Sequence, residues 1–172
     1  MPEDINKPII MVSAGSGVAP FRSFWMQGCV DQQKRGKCHK MFLFFGCRRT
    51  RVDNIYGFEF PELLTKGVIL DIFYAYSRDS QHKKRYVQDQ VYKQKALIYY
   101  LLEKEEAHIY VCGGAKMASG VKQAVKRLFL EEERLTEQEA DDKLQKLFVS
   151  VRPVVCQALR LRDKRMTLFQ ID

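Results

Sequence analysis

The stretch PIIMVSAGSGVAPFRSFW, residues 8–25, runs from an apolar segment through two glycines, a serine and a proline into a second segment of helical character. PIIMVSA (8–14) is a short β-rich run, GSGVAP is a tight turn, and a helix is expected from Pro20 to about Val30. Proline suits a first helical turn, where its missing N–H would have no helical partner. A strand that turns this tightly into a helix aims backbone N–H groups and the positive end of the helix dipole at whatever sits over the turn, which favours an anion. Gly15 and Gly17 let the backbone approach a pyrophosphate, Ser16 adds a hydroxyl donor, and Val18, Ala19 and Pro20 carry the turn into the helix. A plain tight turn has the same letters, so the remaining sequence has to choose between the two readings.

The alternation continues. KMFLFFGC (40–47), VILDIFYAYS (68–77) and AHIYVCG (107–113) read as three further strands. Val87, Val91, Ile98, Leu101 and Leu102 follow helical spacing up to about Glu103, and Met117, Val121, Ala124, Val125 and Leu128 mark a helix after the fourth strand. Thr136 with Glu139 makes a capping box that opens a helix carrying Ala140, Leu144 and Leu147. Near-continuous apolar strands alternating with helices indicate an α/β fold, a parallel sheet with helices on both faces. Ligands of such sheets sit outside the carboxyl ends of the strands. The unusual clusters of this chain, Gly15–Pro20, Gly46–Arg49, Ser77–Tyr86 and Cys112–Gly114, all fall at those ends. VSVRPVVCQALRLRDKRMTLFQID (149–172) begins like a strand and then becomes basic.

At 172 residues and 46% hydrophobic, the chain is one domain with a real core and is not a disordered polymer. No apolar run reaches the roughly 18 residues of a membrane span. MPEDINKPIIMV has acidic residues where a signal peptide carries positive charge, so a soluble cytoplasmic domain is expected. The five cysteines (Cys29, Cys38, Cys47, Cys112, Cys156) are scattered, without zinc-site spacing, and read as free thiols in a reducing compartment, with no metal expected. His39, His82 and His108 stand apart from one another, and G-x-S-x-G is absent because Ser16 lies in G-S-G. The net charge of +8 favours anions of several kinds: nucleotides, nucleic acid, acidic proteins or lipid headgroups. Nucleic acid fits least, since the basic residues lack the interleaved aromatic platform of single-strand binders.

AYSRDSQHKKRYVQ (75–88) is the sharper signal. A site for NAD offers an acidic residue to the ribose 2′-hydroxyl, whereas the 2′-phosphate of NADP calls for a hydroxyl and a guanidinium. Ser77 and Arg78 supply both at a strand end, Lys84 can add a point charge, and Tyr86 can lay its ring on the adenine or donate to the phosphate. A solvated basic loop before a helix is the alternative. Arg48, after FFGC, can reach a pyrophosphate or be an ordinary surface arginine. Cys112, in YVCGG at the fourth strand end, can shape a nicotinamide pocket or fill space as a buried thiol.

GSGVAPFRSFW, FFGCRR, DNIYGFE, AYSR, KRYVQD and HIYVCGG, in this order and spacing, resemble the NADPH-binding domain of the diflavin reductases, a family related to plant-type ferredoxin–NADP reductase. APFRSFW and the AYSR–KKRYVQD pair look closest to the nitric oxide synthase branch, and the Ser77–Tyr86 spacing fits it better than cytochrome P450 reductase. The similarity covers roughly residues 8–148, so the expected division is an NADP-binding domain over 1–150 and a divergent basic tail over 151–172.

The resemblance implies a doubly wound five-stranded parallel sheet. It implies that Ser16, in the turn Gly15–Pro20, contacts the phosphates of NADPH, and that Arg48 binds nearby. Ser77 and Arg78 would grip the 2′-phosphate with Lys84, Tyr86 and Gln88. Cys112 would stand beside the nicotinamide in the hydride-transfer position, with Gly113 and Met117 completing that end of the site. It further implies an oxidoreductase whose FAD-binding and FMN-binding domains lie outside this chain, a haem domain as acceptor, and calmodulin as a partner of the full-length protein. The chain starts just ahead of the first strand and is expected to be a fragment of such a reductase. A cytochrome P450 reductase-like module and a non-catalytic NADP-binding module are the alternatives. Three departures stand out. Gly114 and Gly120 occupy positions where the family usually has aspartates, and its aromatic ending is not recognisable in RMTLFQID, where Phe169 is the nearest aromatic.

Overall fold

Ile9, Ile10, Met11, Val12 and Ser13 are all inaccessible to solvent, so β1 (Ile9–Ala14) is covered on both sides along nearly its whole length. The computed structural model describes residues 1–50 and 53–150. After β1, a single 3-10 turn over Gly15–Val18 feeds α1 (Ala19–Arg35), with Pro20 in its first turn as expected. β2 (Met41–Cys47), α2 (Phe60–Thr65), β3 (Ile69–Tyr76), α3 (Val87–Lys93), α4 (Lys95–Glu103), β4 (His108–Cys112), α5 (Ala115–Glu133) and α6 (Glu137–Ser150) follow.

The four strands form one parallel sheet in the order β3-β2-β1-β4. The central pair explains the continuous apolar runs. β1 lies between β2 and β4, with Ile9 opposite Met41 on one side and His108 on the other. β3, at one edge, leaves Leu70 and Asp71 exposed. Alternate residues of the central strands feed two separate clusters. Ile9, Met11, Leu43 and Phe45 pack with Phe21 and Trp25 of α1 and with Phe60 and Leu63 of α2. Ile10, Val12 and Phe44 pack with Val87 and Val91 of α3, Ile98 and Leu101 of α4, and Val121, Val125 and Phe129 of α5. Burial of this kind stabilises by about 25 cal/mol per Å² of apolar surface, which makes these two layers the dominant favourable contribution. No helix among the described residues is long and apolar enough to cross a membrane.

Three elements differ from the sequence reading. The helix expected from Val87 to about Glu103 is two helices, because Gln94 adopts φ −95°, ψ 29° and leaves the helical path. The apolar spacing passes through that break undisturbed, since Val91 and Ile98 join the same cluster. α2 has only six residues, too few to show a period, and opens with Pro61 in its first turn. Val149 and Ser150, read as the start of a strand, close α6 instead. That helix starts at the anticipated capping box: Thr136 donates its N–H and its hydroxyl to Glu139 Oε2 at 2.8 and 2.7 Å. The expected tail over 151–172, with Cys156 and Phe169, lies outside the described residues.

Glu131 of α5 ties three helices together. Its carboxylate accepts from Lys95 Nζ at 2.8 Å, from the Tyr92 hydroxyl at 2.6 and 2.8 Å, and from Arg127 Nε at 2.8 Å. These bonds, Lys95 foremost, hold its pKa down to about 2 from an ordinary 4.5. A carboxylate depressed in the folded state contributes stability above its unfolded pKa and loses it as pH falls through the folded value. Glu131→Gln is therefore expected to be less stable than wild type at pH 7, with the gap in urea midpoint closing as pH falls from about 4.5 toward 2. A gap independent of pH would contradict this assignment.

Candidate functional site

Beyond their last residues the strands keep their mutual register. Ser77 N–H donates to the Cys47 carbonyl and Arg78 N–H to the Arg48 carbonyl, both at 3.0 Å, so Arg48, Ser77 and Arg78 are held by backbone bonds that continue the sheet. The loop after β3 is then folded back. Asp79 accepts from Thr50 N–H and hydroxyl at 3.1 and 2.8 Å and from Gln81 N–H at 2.9 Å, with His82 Nδ1 at 3.3 Å. The Thr50 hydroxyl is the leading cause that holds the Asp79 carboxyl well below the usual range. Arg85 N–H closes the loop on the Tyr76 carbonyl at 2.8 Å, and the Asp89 carboxylate takes the Tyr86 N–H at 2.9 Å to start α3.

These turns surround a cleft of about 990 Å³ at the carboxyl end of the sheet. Of the residues singled out in the sequence, Gly15, Ser16, Arg48, Ser77, Tyr86, Gln88 and Met117 line it. Other anticipated residues lie elsewhere. Gly17 and Val18 are buried beneath the turn, Ala19 is exposed and Pro20 half-buried at the start of α1. Arg78 and Lys84 are exposed and do not line the cleft; the Lys84 ammonium lies 5.4 Å from the centre of the Tyr86 ring. Cys112 is fully buried at the end of β4 among Ile9, Met11 and Phe21, and Gly113 is buried beside it.

Sequence reasoning missed Arg85, Lys116, Asp53 and Ile55, which also line the cleft. Asp53 and Ile55 belong to DNIYGFE, whose loop is anchored by Glu59. That carboxylate accepts from Trp25 Nε1 at 3.0 Å and from Arg22 Nε at 2.8 Å. Arg85 stands next to Lys84 in a basic run, and only the bond to Tyr76 and the side-chain bond of its guanidinium to Gln90 Oε1 at 3.0 Å single it out. Cys47 is also in the lining; burial first, then the Asp53 and Asp79 charges, push its thiol up to about 11, which disfavours the thiolate.

The two glycines of the turn have different reasons. Gly15 has φ +57° with open space around it, a conformation in which an L side chain is strained. Gly17 has no space, since a Cβ there would run into the Cys112 carbonyl group, whose carbon would lie at 2.9 Å. Gly120, one of the two glycines that stand where the resemblance implies aspartates, leaves room for Gln88, whose Cγ would stand 3.1 Å from a Cβ at that position.

A glycine turn at the head of a helix, the cations Arg48, Arg85 and Lys116, and several hydroxyls form a donor set suited to a phosphorylated ligand, and the volume is that of a small-molecule site. The chain belongs to the oxidoreductase NAD-binding domain family, whose pattern matches residues 11–123. Within that class it is similar to inducible nitric oxide synthases. It is 42% identical over 144 residues to that of Gallus gallus and 40% to that of Oryctolagus cuniculus, in each case over 83% of this chain. The Homo sapiens protein is 42% identical over the same share. The chain spans 13% of the Gallus gallus protein, 29% of the Oryctolagus cuniculus sequence and 12% of the Homo sapiens protein. Its resemblance to the reductase region of nitric oxide synthase is thereby shown over most of its length.

Separate single substitutions distinguish the two glycines. Gly15→Ala is expected to lower unfolding free energy by about 1 kcal/mol through backbone strain. Gly17→Ala is expected to lower it by roughly 3 kcal/mol through overpacking against a carbonyl that cannot move aside. Denaturant titration that returned equal losses would remove the close approach as the reason for Gly17.

Proposed function

We propose that this domain holds NADPH across the carboxyl ends of its strands and presents the nicotinamide for hydride transfer to an FAD carried by another domain of the same polypeptide. The observation that carries the proposal is the cleft itself, which has the glycine turn on one wall and Ser77, Arg85 and Tyr86 on another. In this reading Gly15 and Ser16 offer backbone and hydroxyl donors to the pyrophosphate, with Arg48 beside them. Ser77, Arg78, Lys84, Tyr86 and Gln88 hold the 2′-phosphate end, and Arg85 joins them. The only carboxylate between Ser77 and Tyr86 is Asp79, and its oxygens are taken up by Thr50, Gln81 and His82 within the loop.

When bound, the nicotinamide supplies a hydride, so that NADPH leaves as NADP⁺ and the flavin gains two electrons. What this chain contributes is position. Cys112, with Gly113 and Met117 next to it, would wall the nicotinamide end. The likeness to nitric oxide synthases supports the remainder of the proposal: onward single-electron transfer through an FMN domain to a haem domain, control by calmodulin, and a cytoplasmic setting. A division of the chain into an NADP-binding domain of residues 1–150 and a basic tail over 151–172 belongs to the same reading.

Calorimetric titration with 2′,5′-ADP against 5′-AMP tests the proposal. A preference on the order of 100-fold for the former is expected, since several charge-assisted bonds are worth about 3 kcal/mol. Arg78→Ala should abolish most of that preference. Equal affinity for the two nucleotides, or unchanged discrimination in the variant, would overturn the assignment of the loop after β3.

A further inference from the structure

We propose that Lys116 is a phosphate-holding residue of the cleft and that it serves the pyrophosphate side rather than the 2′-phosphate side. The inference rests on the dinucleotide reading above and adds a residue that neither the sequence motifs nor the resemblance singled out.

Lys116 lines the cleft together with Ala14, Gly15, Ser16 and Met117. It is the second residue of α5, where the helix dipole disfavours a cation. Nothing in that turn offsets the charge. The first turn has no acidic residue, and Gly114 at the cap position has no side chain to accept from the helix N–H groups. Two lysines further along the chain are balanced: Lys126 is paired with Glu137 and Asp141, and Lys143 with Glu103 and Glu133. Among the described residues no carboxylate pairs with Lys116. Two positive features, an uncapped helix start and an uncompensated ammonium, therefore face one cleft wall, and a multivalent anion satisfies both.

The neighbouring backbone says which anion group. A Cβ on Gly17 would lie 3.3 Å from Gly113 Cα, and one on Gly113 would lie 3.8 Å from the Ala14 nitrogen, so the turn after β1 and the start of α5 abut. Lys116 follows Gly113 by three residues at this junction, which favours a position for its ammonium over Gly15 and Ser16. The site thus has two cationic poles, Lys116 with Arg48 at the pyrophosphate and the Arg78–Tyr86 loop at the 2′-phosphate.

The test titrates the 172-residue chain, its Lys116→Ala and its Lys116→Arg variants with NADP⁺, NAD⁺, inorganic pyrophosphate and 2′-AMP. Lys116 is exposed, and alanine is the best helix former, so the alanine variant keeps the fold. Lys116→Ala should weaken NADP⁺, NAD⁺ and pyrophosphate by the same factor, about tenfold, the worth of one charge-assisted hydrogen bond. Binding of 2′-AMP should be unchanged, and Lys116→Arg should restore most of the loss. Unchanged pyrophosphate and NADP⁺ affinity in the alanine variant would overturn the proposal. So would an equal loss for 2′-AMP, which would signal a general surface field in place of a local contact. Lys116-dependent pyrophosphate binding without any dinucleotide binding would support the role of Lys116 and overturn the dinucleotide reading. Binding of none of the four ligands by the wild-type chain would overturn both.

Discussion

The turn after β1 touches the end of β4 through the one point where a side chain is not tolerated, Gly17 against the Cys112 carbonyl group. Everything on that half of the cleft depends on this approach. It sets how far α1 and α5 stand from each other at their first turns, and it places Gly15 and Ser16 next to Lys116 and Met117 along one wall. Because the contact is backbone to backbone, no rotamer change can relieve it. The pairing of Ile9–Ser13 with His108–Cys112 below it makes the arrangement rigid.

The opposite half is held by a different device. Backbone bonds from Ser77 and Arg78 to Cys47 and Arg48 extend the β2–β3 ladder past the strands, and Asp79 gathers the following loop around its carboxylate. Asp79 is in this way turned to holding the loop, and among the described residues no carboxylate forms an ion pair with Arg48, Arg78, Lys84 or Arg85. The cleft collects positive charge from separate strand ends, with Asp53 as the one carboxylate in its lining among the described residues. Such a field concentrates anions and orients a ligand that carries phosphate at both of its ends.

Much of the fold was legible because the relevant signals are local. Two-sided burial shows in the apolar runs of β1 and β2, a helix start shows in Pro20, and the Thr136–Glu139 box repeats a pattern three residues apart. The break at Gln94 was not legible, since the apolar spacing runs on through it and no proline or glycine marks it. α2 was too short to display a period. α6 runs on into Val149 and Ser150, although β-branched Val149 suggests a strand, because a helix already nucleated at Thr136 propagates through such residues at little cost.

In the site, the residue types at the strand ends follow from the sequence alone: a glycine turn, a hydroxyl with basic neighbours, and a thiol beside glycines. Those identities, in that order along the chain, determined the class of fold and the phosphate chemistry, because both depend on local backbone freedom and on charge. Which members of each basic run face the cleft was decided only in three dimensions. Arg85 lines it while Lys84 does not, and Lys116 lines it although no motif contains it. The reason is that neighbouring residues in a loop point in different directions. That direction is set by partners distant in the chain, here the bonds of Asp79 to Thr50 and the close approach of Gly17 to the Cys112 carbonyl, which no local pattern encodes.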